Sequence, residues 1–397
     1  LGSNSIYHIY SLLNNQLTGK HQFLGRLFAD WQLSYGRTAS DEPDRRQVVF
    51  ARNTNNTLSL FKLNQQGTMR YFGELFEDEY NGEAKLKYNL NKADIPNHLR
   101  LGVSMRKKSR DFYSSNFYYD IKSINPQIDN IYNTDDYLGL SSIADGSITI
   151  NKNSQPRNKY FADTRIAAAF IDFEFYPVKN LSISGGVRYE KSEQKVHYWT
   201  DGAQDSIKKL NEGDFFPALN LKYMPKENQN LRFSVSRTVT RPSFTEMAPF
   251  EYQGSYASIK ERGFAGIKNG YNLNFDLRYE LFNKEGDMFS LGAYYKSLKT
   301  PIEAILEYSG SLIKSYRNID KGTAAGVELE IRKKITKDLK IDFNASYIYT
   351  QIDISENTTS TDRKRRLQGA LPYLLNLGIN YAPSFGKDRS GSFSLVY

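Results

Sequence analysis

The sequence predicts an all-β fold, an antiparallel up-and-down transmembrane β-barrel, on three observations. Apolar residues alternate with polar or small ones at a period of two along most of the chain. The segments marked in this way are joined by short turns and long loops in alternation. The longest uninterrupted apolar run, Ile166 to Ile171, is six residues, far short of the roughly 20 that a spanning helix needs.

Alternation is cleanest at Leu181-Ile183-Gly185-Val187-Tyr189 and recurs at Leu231-Phe233-Val235, Phe275-Leu277-Tyr279-Leu281 and Phe289-Leu291-Ala293-Tyr295. It continues at Val327-Leu329-Ile331, Ile341-Phe343-Ala345-Tyr347-Tyr349 and Tyr373-Leu375-Leu377-Ile379-Tyr381. About 14 strands are expected, near 5–17, 24–38, 70–90, 98–115, 163–177, 181–198, 215–224, 230–240, 270–282, 288–299, 323–334, 339–353, 371–382 and 391–397. Short turns rich in Asn, Lys, Asp, Gly and Pro fall near 18–23, 91–97, 178–180, 225–229, 283–287, 335–338 and 383–390. Long loops fall near 39–69, 116–162, 199–214, 241–269, 300–322 and 354–370, alternating with the turns without exception. All turns then lie at one end and all long loops at the other, the asymmetry of bacterial outer-membrane barrels. A soluble sandwich would use strands of about five or six residues and would not require such alternation.

Composition fits this reading. With 53 Lys+Arg against 44 Asp+Glu the net charge is +9. The mean hydropathy of −0.60 is the average of a lipid face, a polar lumen and wet loops. The 29 Tyr and 24 Phe suit an outer face with aromatic girdles and are too many for a disordered chain. Absence of cysteine excludes disulfides and Cys-based metal sites. Basic residues are scattered apart from DRKRR (362–366), and no groove-reading motif points to nucleic acid. Residues 1–30 lack a signal-peptide pattern, and the alternation Phe393-Leu395-Tyr397 runs to the last residue. The chain is therefore expected to be a fragment, with residues 1–397 forming one part of a single barrel domain.

Several stretches carry a family resemblance. FFPALNLKYMPKENQNLRFSVSRTVTRPSFTEMAPF (215–250) resembles the central barrel segment of TonB-dependent outer-membrane receptors, with its Ser-Arg-Thr, Arg-Pro and Ala-Pro steps. NLSISGGVRYEKSEQKV (180–196), NFDLRYELF (274–282), YRNIDKGTAAGVELEIRKKI (316–335) and LQGALPYLLNLGINY (367–381) are similar to the same family, as are DEPDRR (41–46) and RYFGELFEDEYNGEAKLKYNL (70–90). The resemblance implies about 22 strands around a plug, with the plug, the TonB box and the first strands upstream and the last strands downstream. It implies TonB-dependent uptake of a siderophore, vitamin, glycan or peptide, coupled to the TonB-ExbB-ExbD complex, and localisation in the bacterial outer membrane. The partners implied are outer-membrane lipid and lipopolysaccharide; a surface lipoprotein stays open. No cofactor is expected. The family's haem box carries a His, whereas ERGFAGIKNGYNLNF (261–275) has none, which argues against haem. A diffusion porin and an outer-membrane hydrolase are the alternative classes.

Parity assigns the charges. With Val187 and Tyr189 facing lipid, Arg188 and Glu190 face the lumen; so do Asp172 and Glu174, Asp276, Arg278 and Glu280, and Glu328, Glu330 and Arg332. Arg237 falls on the apolar parity. Ligand contacts are expected at strand tops and in the 241–269 loop, from Arg110, Arg241, Tyr252, Tyr256 and His197, because Arg and aromatic residues dominate binding hot spots. His197 with Asp201 or Asp205 is the one loop cluster with the composition of an acid–base pair, and no catalytic residue is assigned. The acidic stretches DISENTTSTD (353–362) and DNIYNTDD (129–136) lack EF-hand spacing, and His21 and His98 beside turns are read as exposed, so no metal site is assigned. Lys364, Arg365 and Arg366 are the expected contacts to lipopolysaccharide phosphates.

Overall fold

A computed structural model describes residues 1–397 except 24, 62–66, 93–96, 122–123, 125–126, 154–157, 201–203, 253–258, 284–285, 309–311, 355–362 and 387–388. Among the described residues 14 strands follow one another as an antiparallel meander within a sheet of 19, the other five being the short Gly2–Ser5, Leu58–Leu60, Gln127–Ile128, Thr149–Asn153 and Lys364–Arg365 at its loop end. The strands of the meander are β1 Ile9–Phe23, β2 Leu27–Arg52, β3 Met69–Asn89, β4 His98–Asp120, β5 Lys159–Val178, β6 Leu181–Trp199 and β7 Asp205–Tyr223. They continue as β8 Gln229–Thr240, β9 Gly270–Phe282, β10 Met288–Lys299, β11 Lys321–Lys334, β12 Leu339–Asp353, β13 Tyr373–Tyr381 and β14 Phe393–Val396. Each strand pairs with the next in sequence, from β1 with β2 to β13 with β14.

Register sets alternate residues of neighbouring strands on common faces. Leu101, Ile171 and Val187 lie in one row across β4, β5 and β6, while Arg100 and Asp172 lie in the neighbouring row on the opposite face. The outward apolar side chains are open to the surroundings: Leu101 is 50%, Val103 57% and Met105 58% exposed. On β5 the outward band runs from Ala167 to Phe175, about 26 Å along the strand and about 20 Å tall once the strand is tilted. Tyr35 against Tyr80, with ring centroids 5.0 Å apart, and Tyr189 against Phe215, at 4.9 Å, mark its upper border. No helix among the described residues is long and apolar enough to cross a membrane.

The boundaries differ from the sequence expectation where strands leave the lipid band. The first strand runs to Phe23, so the turn placed near 18–23 is strand, and β2, 26 residues long, runs on to Arg52 inside the expected 39–69 loop. The 199–214 loop is mostly strand as well: β7 starts at Asp205, and Trp199 opposes Asp205 across the connection. The alternation of short and long connections thus has an exception at β6–β7. Above the band both faces of a strand are wet, so no period-two signal marks it, yet the ladder hydrogen bonds to β6 persist. Inside the 241–269 and 300–322 loops lie the four short strands Glu251–Tyr252, Lys260–Arg262, Leu312–Asn318 and Ile302–Tyr308, which form a second sheet over the mouth.

The DEPDRR stretch builds a bulge into β2. Pairing with β3 skips from Glu42 to Arg45, because Pro43 has no N–H to give the ladder. Asp44, displaced from the ladder, accepts two hydrogen bonds from Arg70 at 2.9 Å each and one from Arg46 at 2.8 Å. Arg45 is only 1% exposed, stacks 4.3 Å over the Tyr71 ring and lies 3.3 Å from the Glu42 carboxylate.

Two outcomes follow. Val103→Lys, on the outward band, is expected to destabilise the full-length protein in a bilayer by about 2–4 kcal/mol, whereas Ser109→Lys, six residues higher on the same face, costs little; urea unfolding in liposomes measures both. Arg45→Ala strands the buried Glu42 and is expected to lower stability by about 3–5 kcal/mol, with an Arg45→Met, Glu42→Leu double variant recovering most of it; thermal unfolding monitored at the tyrosines decides.

Candidate functional site at the barrel mouth

The site begins where β8 ends. Arg241 leaves the strand and Pro242 terminates the ladder, and residues 243–250 turn inward instead of continuing upward. Ser243 and Glu246 form a capping box, the Ser243 hydroxyl accepting from the Glu246 N–H and the Glu246 carboxylate from the Ser243 N–H at 2.7 Å. That box starts the single helical turn Phe244–Met247. Met247, Ala248 and Ile267 are fully buried against Tyr160, Val196 and Leu210 on the inner faces of β5, β6 and β7. Gly263 crosses so close that a Cβ would lie 2.0 Å from the Ala248 carbonyl oxygen, which only glycine allows.

Beneath the second sheet this segment leaves a cavity of about 260 Å³. Its walls are aromatic: Tyr10, Tyr71, Phe112, Tyr160, Phe250, Tyr252 and Tyr316. The polar groups converging on it are Arg110, Arg262, Glu42, Glu261 and His8. Arg110 reaches from β4 over the Phe244 ring at 5.3 Å and donates to Glu77 at 2.7 Å. Tyr316 donates to Glu261 at 2.9 Å, and burial together with that carboxylate pushes its phenol pKa well up, so it is held as a donor. Burial likewise raises the Tyr71 phenol, and it raises the Glu42 carboxyl against the opposing pull of Arg45.

Below the aromatic chamber the inward faces carry a ladder of ion pairs. Lys108 bridges Glu77 and Glu79 at 2.7 and 2.8 Å, and Arg106 joins Glu79 at 3.0 Å. Glu190 takes Arg188 and Arg241 at 2.7 Å each, and Arg188 also donates to the Ser104 hydroxyl at 2.9 Å. These groups border a second, polar cavity of about 310 Å³. Toward the turn end, Arg100 holds Asp172 at 3.0 Å, and Glu174 accepts from Tyr176 at 2.5 Å. On the far wall Glu280 takes Arg232 and Arg278, and Arg278 also meets Glu330 at 3.2 Å. Arg332 pairs with Glu330 and Asp342. Asp276 accepts from Ser234, and Glu328 lies in an inward row between Gly292 and Ser346.

The expected ligand contacts divide. Arg110 and Tyr252 meet in the upper cavity, Arg241 lies in the lower one, and Tyr256 falls outside the described residues. His197 has the outward parity of Val187; it bonds Asp205 and packs 4.4 Å from Trp199, on the face away from both cavities. Asp201 lies outside the described residues. Arg237 on the outward parity slips into the space between β7 and β8, whose pairing reaches only Ala218 and Ser236 beside Pro217; there it meets Asp214 at 3.2 Å. His8, stacked 5.6 Å from Tyr10, and Tyr71 are lining residues that carry no sequence signal, because contacts between distant strand tops have no local period.

The acidic stretch at 129–136 has its carboxylates engaged: Asp135 pairs with Arg46 at 2.8 Å and Asp136 accepts from Asn133. Most of 353–362 lies outside the described residues. Among the described residues no group of three or more His, Asp or Glu is arranged to hold a metal ion. Arg365 is committed to Glu303 at 3.0 Å.

The fold is similar to solved outer-membrane receptors. The ferric yersiniabactin uptake receptor FyuA of Yersinia pestis matches with a TM-score of 0.62 at 12% identity, over 98% of this chain and 50% of that one. The ferric-catecholate import receptor Fiu of E. coli K12 matches at 0.61 and 12%, over 96% and 53%. The pyoverdine outer membrane receptor FpvA of Pseudomonas aeruginosa PAO1 matches at 0.56 and 13%, over 97% and 53%. The chain thus spans about half the length of these receptors. No curated protein matches the sequence significantly. The family model described as TonB dependent receptor-like, beta-barrel, matches residues 3–397. Since that match leaves no strand of the meander outside it, the chain belongs to the TonB-dependent receptor family, as part of its outer-membrane β-barrel.

Proposed function

We propose that this chain supplies the ligand-docking wall of a receptor that takes up a scarce nutrient across the outer membrane. The observation that carries the reading is the aromatic, Arg110-bearing cavity at the mouth, set directly above an inward ladder of paired charges. Aromatic faces and a guanidinium are what a polar, partly planar chelate or sugar meets best when it leaves water. The aligned charges below give a departing ligand polar partners along the wall. Opening of the path falls to a plug driven by the TonB-ExbB-ExbD complex, both outside this chain. The mechanism is energised gating and needs no bond chemistry, so no enzymatic step is assigned.

Among nutrient classes, ferric siderophores are the first to test, since the printed ligands of the similar receptors are ferric yersiniabactin, ferric catecholate and pyoverdine. A deletion strain is expected to lose growth on one defined source among ferric siderophores, cobalamin, glycans and peptides; unchanged growth on all of them overturns the uptake reading. With the ligand in hand, Arg110→Ala and Tyr252→Ala are each expected to weaken binding by about tenfold or more, while His197→Ala leaves it unchanged. Titration calorimetry on the full-length receptor measures all three.

A further inference from the structure

The hairpin of β6 and β7 outgrows the wall beside it. β7 pairs with β6 residue by residue from Tyr223 up to Asp205, but with β8 only from Tyr223 up to Ala218. In that register Thr240, the last residue of β8, stands level with Asp214, and there the chain turns inward. Ser206 to Gly213 therefore rise above β8 with one edge uncovered. Among the described residues their backbone groups bond only to β6, and the nearest link on the open side is Arg237 to the Phe215 carbonyl at 2.7 Å. Open edges are ordinarily blunted by a lysine, a proline or a bulge. Here no bulge interrupts the ladder to β6, Pro217 lies below the open stretch, and Lys209 is drawn back to Glu193 at 3.1 Å.

The side chains along this edge carry charges that nothing answers. Lys208 and Glu212 share the inner face with the buried Leu210 between them, and neither has an ion pair or hydrogen bond among the described residues. Burial and the nearby Lys268 both lower the pKa of the Lys208 ammonium, so a carboxylate set opposite offsets both. We propose that the free edge of β7 docks an extended segment of a partner protein, which adds to the sheet as an antiparallel strand with an acidic residue opposite Lys208 and a basic residue opposite Glu212. The unpaired backbone groups supply affinity, and the two charges, on one face of the strand, set the register. Because the added strand runs opposite to β7, the segment that fits reads Lys-x-x-x-Glu, with an apolar residue at its centre beside Leu210. A second copy of this chain is excluded as occupant, since antiparallel pairing of two β7 edges turns one barrel upside down in the membrane. None of these residues lines the aromatic or the polar cavity, so the docking is independent of the nutrient site.

The test uses the full-length receptor in detergent and the fluorescence anisotropy of a labelled, capped peptide, Thr-Thr-Lys-Thr-Val-Thr-Glu-Val-Thr, beside a second peptide with its Lys and Glu exchanged. Wild type is expected to bind the first peptide about tenfold or more tightly than the second. A K208E, E212K variant is expected to reverse that preference, which a merely structural effect does not do. N-methylation of the first peptide at every second residue, on the side facing β7, is expected to abolish binding to wild type, a comparison that stands even if the variant fails to fold. No binding of the first peptide to wild type, equal binding of the two peptides, an unchanged preference in the folded variant, or undiminished binding after N-methylation overturns the proposal.

Discussion

Everything in this chain depends on the backbone hydrogen bonds between neighbouring strands. In hydrocarbon an unpaired N–H or C=O costs several kcal/mol, so a spanning sheet pairs every strand with its sequence neighbour and hides its edges. Pairing fixes register, and register fixes facing, because side chains alternate across the sheet. The rows Leu101–Ile171–Val187 and Arg100–Asp172–Gly186 are the two consequences of one ladder. A slip of one residue would turn the Arg100–Asp172 pair into lipid and the apolar row into the lumen. Such a slip is excluded energetically by both faces at once.

Within the lipid band that constraint made the sequence readable. Lipid on one side and water on the other impose opposite chemistries on successive residues, so the strands from Leu181, Gly270, Met288 and Leu339 could be placed almost to the residue. Above the band both faces are wet and the constraint lapses. Asp205 to Asp214, with its Lys208, Lys209 and Glu212, reads as loop although it is a continuous partner of β6. The mouth was least legible. Arg110 and Tyr252 could be placed at strand tops by residue type and position, whereas His8, Tyr71 and the Gly263 crossing depend on contacts between separate loops and strand tops, which only the three-dimensional closure of loops creates.

Proline places the two departures from regular pairing. Pro43 forces the β2 bulge that turns Arg45 inward onto Tyr71 and frees Asp44 for Arg70. Pro217 sits where β7 and β8 stop pairing, and Arg237 fills the opening through Asp214 and the Phe215 carbonyl. In both places a missing N–H is compensated by an arginine, whose five donors reach groups that a ladder no longer serves. The bulge sets Arg45 and Glu42 beside Tyr71, and Glu42 and Tyr71 line the aromatic cavity together with Phe250 of the inward-turned segment that follows β8.

Charge is sorted by the same geometry. Facing inward, carboxylates and cations sit on adjacent strands within one or two rows, so Glu77, Glu79, Glu190, Glu280 and Glu330 each find a guanidinium or an ammonium group. In a lumen of restricted water an unmatched charge is penalised, and pairing there is required on energetic grounds. Facing outward above the lipid, water and counter-ions remove that penalty, so unpaired cations are tolerated and their position becomes informative. Lys107 and Arg165 share one register row and Lys191 lies two residues lower, toward the turn end. Strand tilt explains the offset. In a barrel the level of the membrane surface steps along successive strands, so side chains at one height occupy shifted rows. Above Lys107, Arg165 and Lys191 stand the outward Asp111, Asp163 and Glu193, and above Ser297 and Thr323 stand the outward Lys299 and Lys321, so outward charge of both signs collects where water screens it.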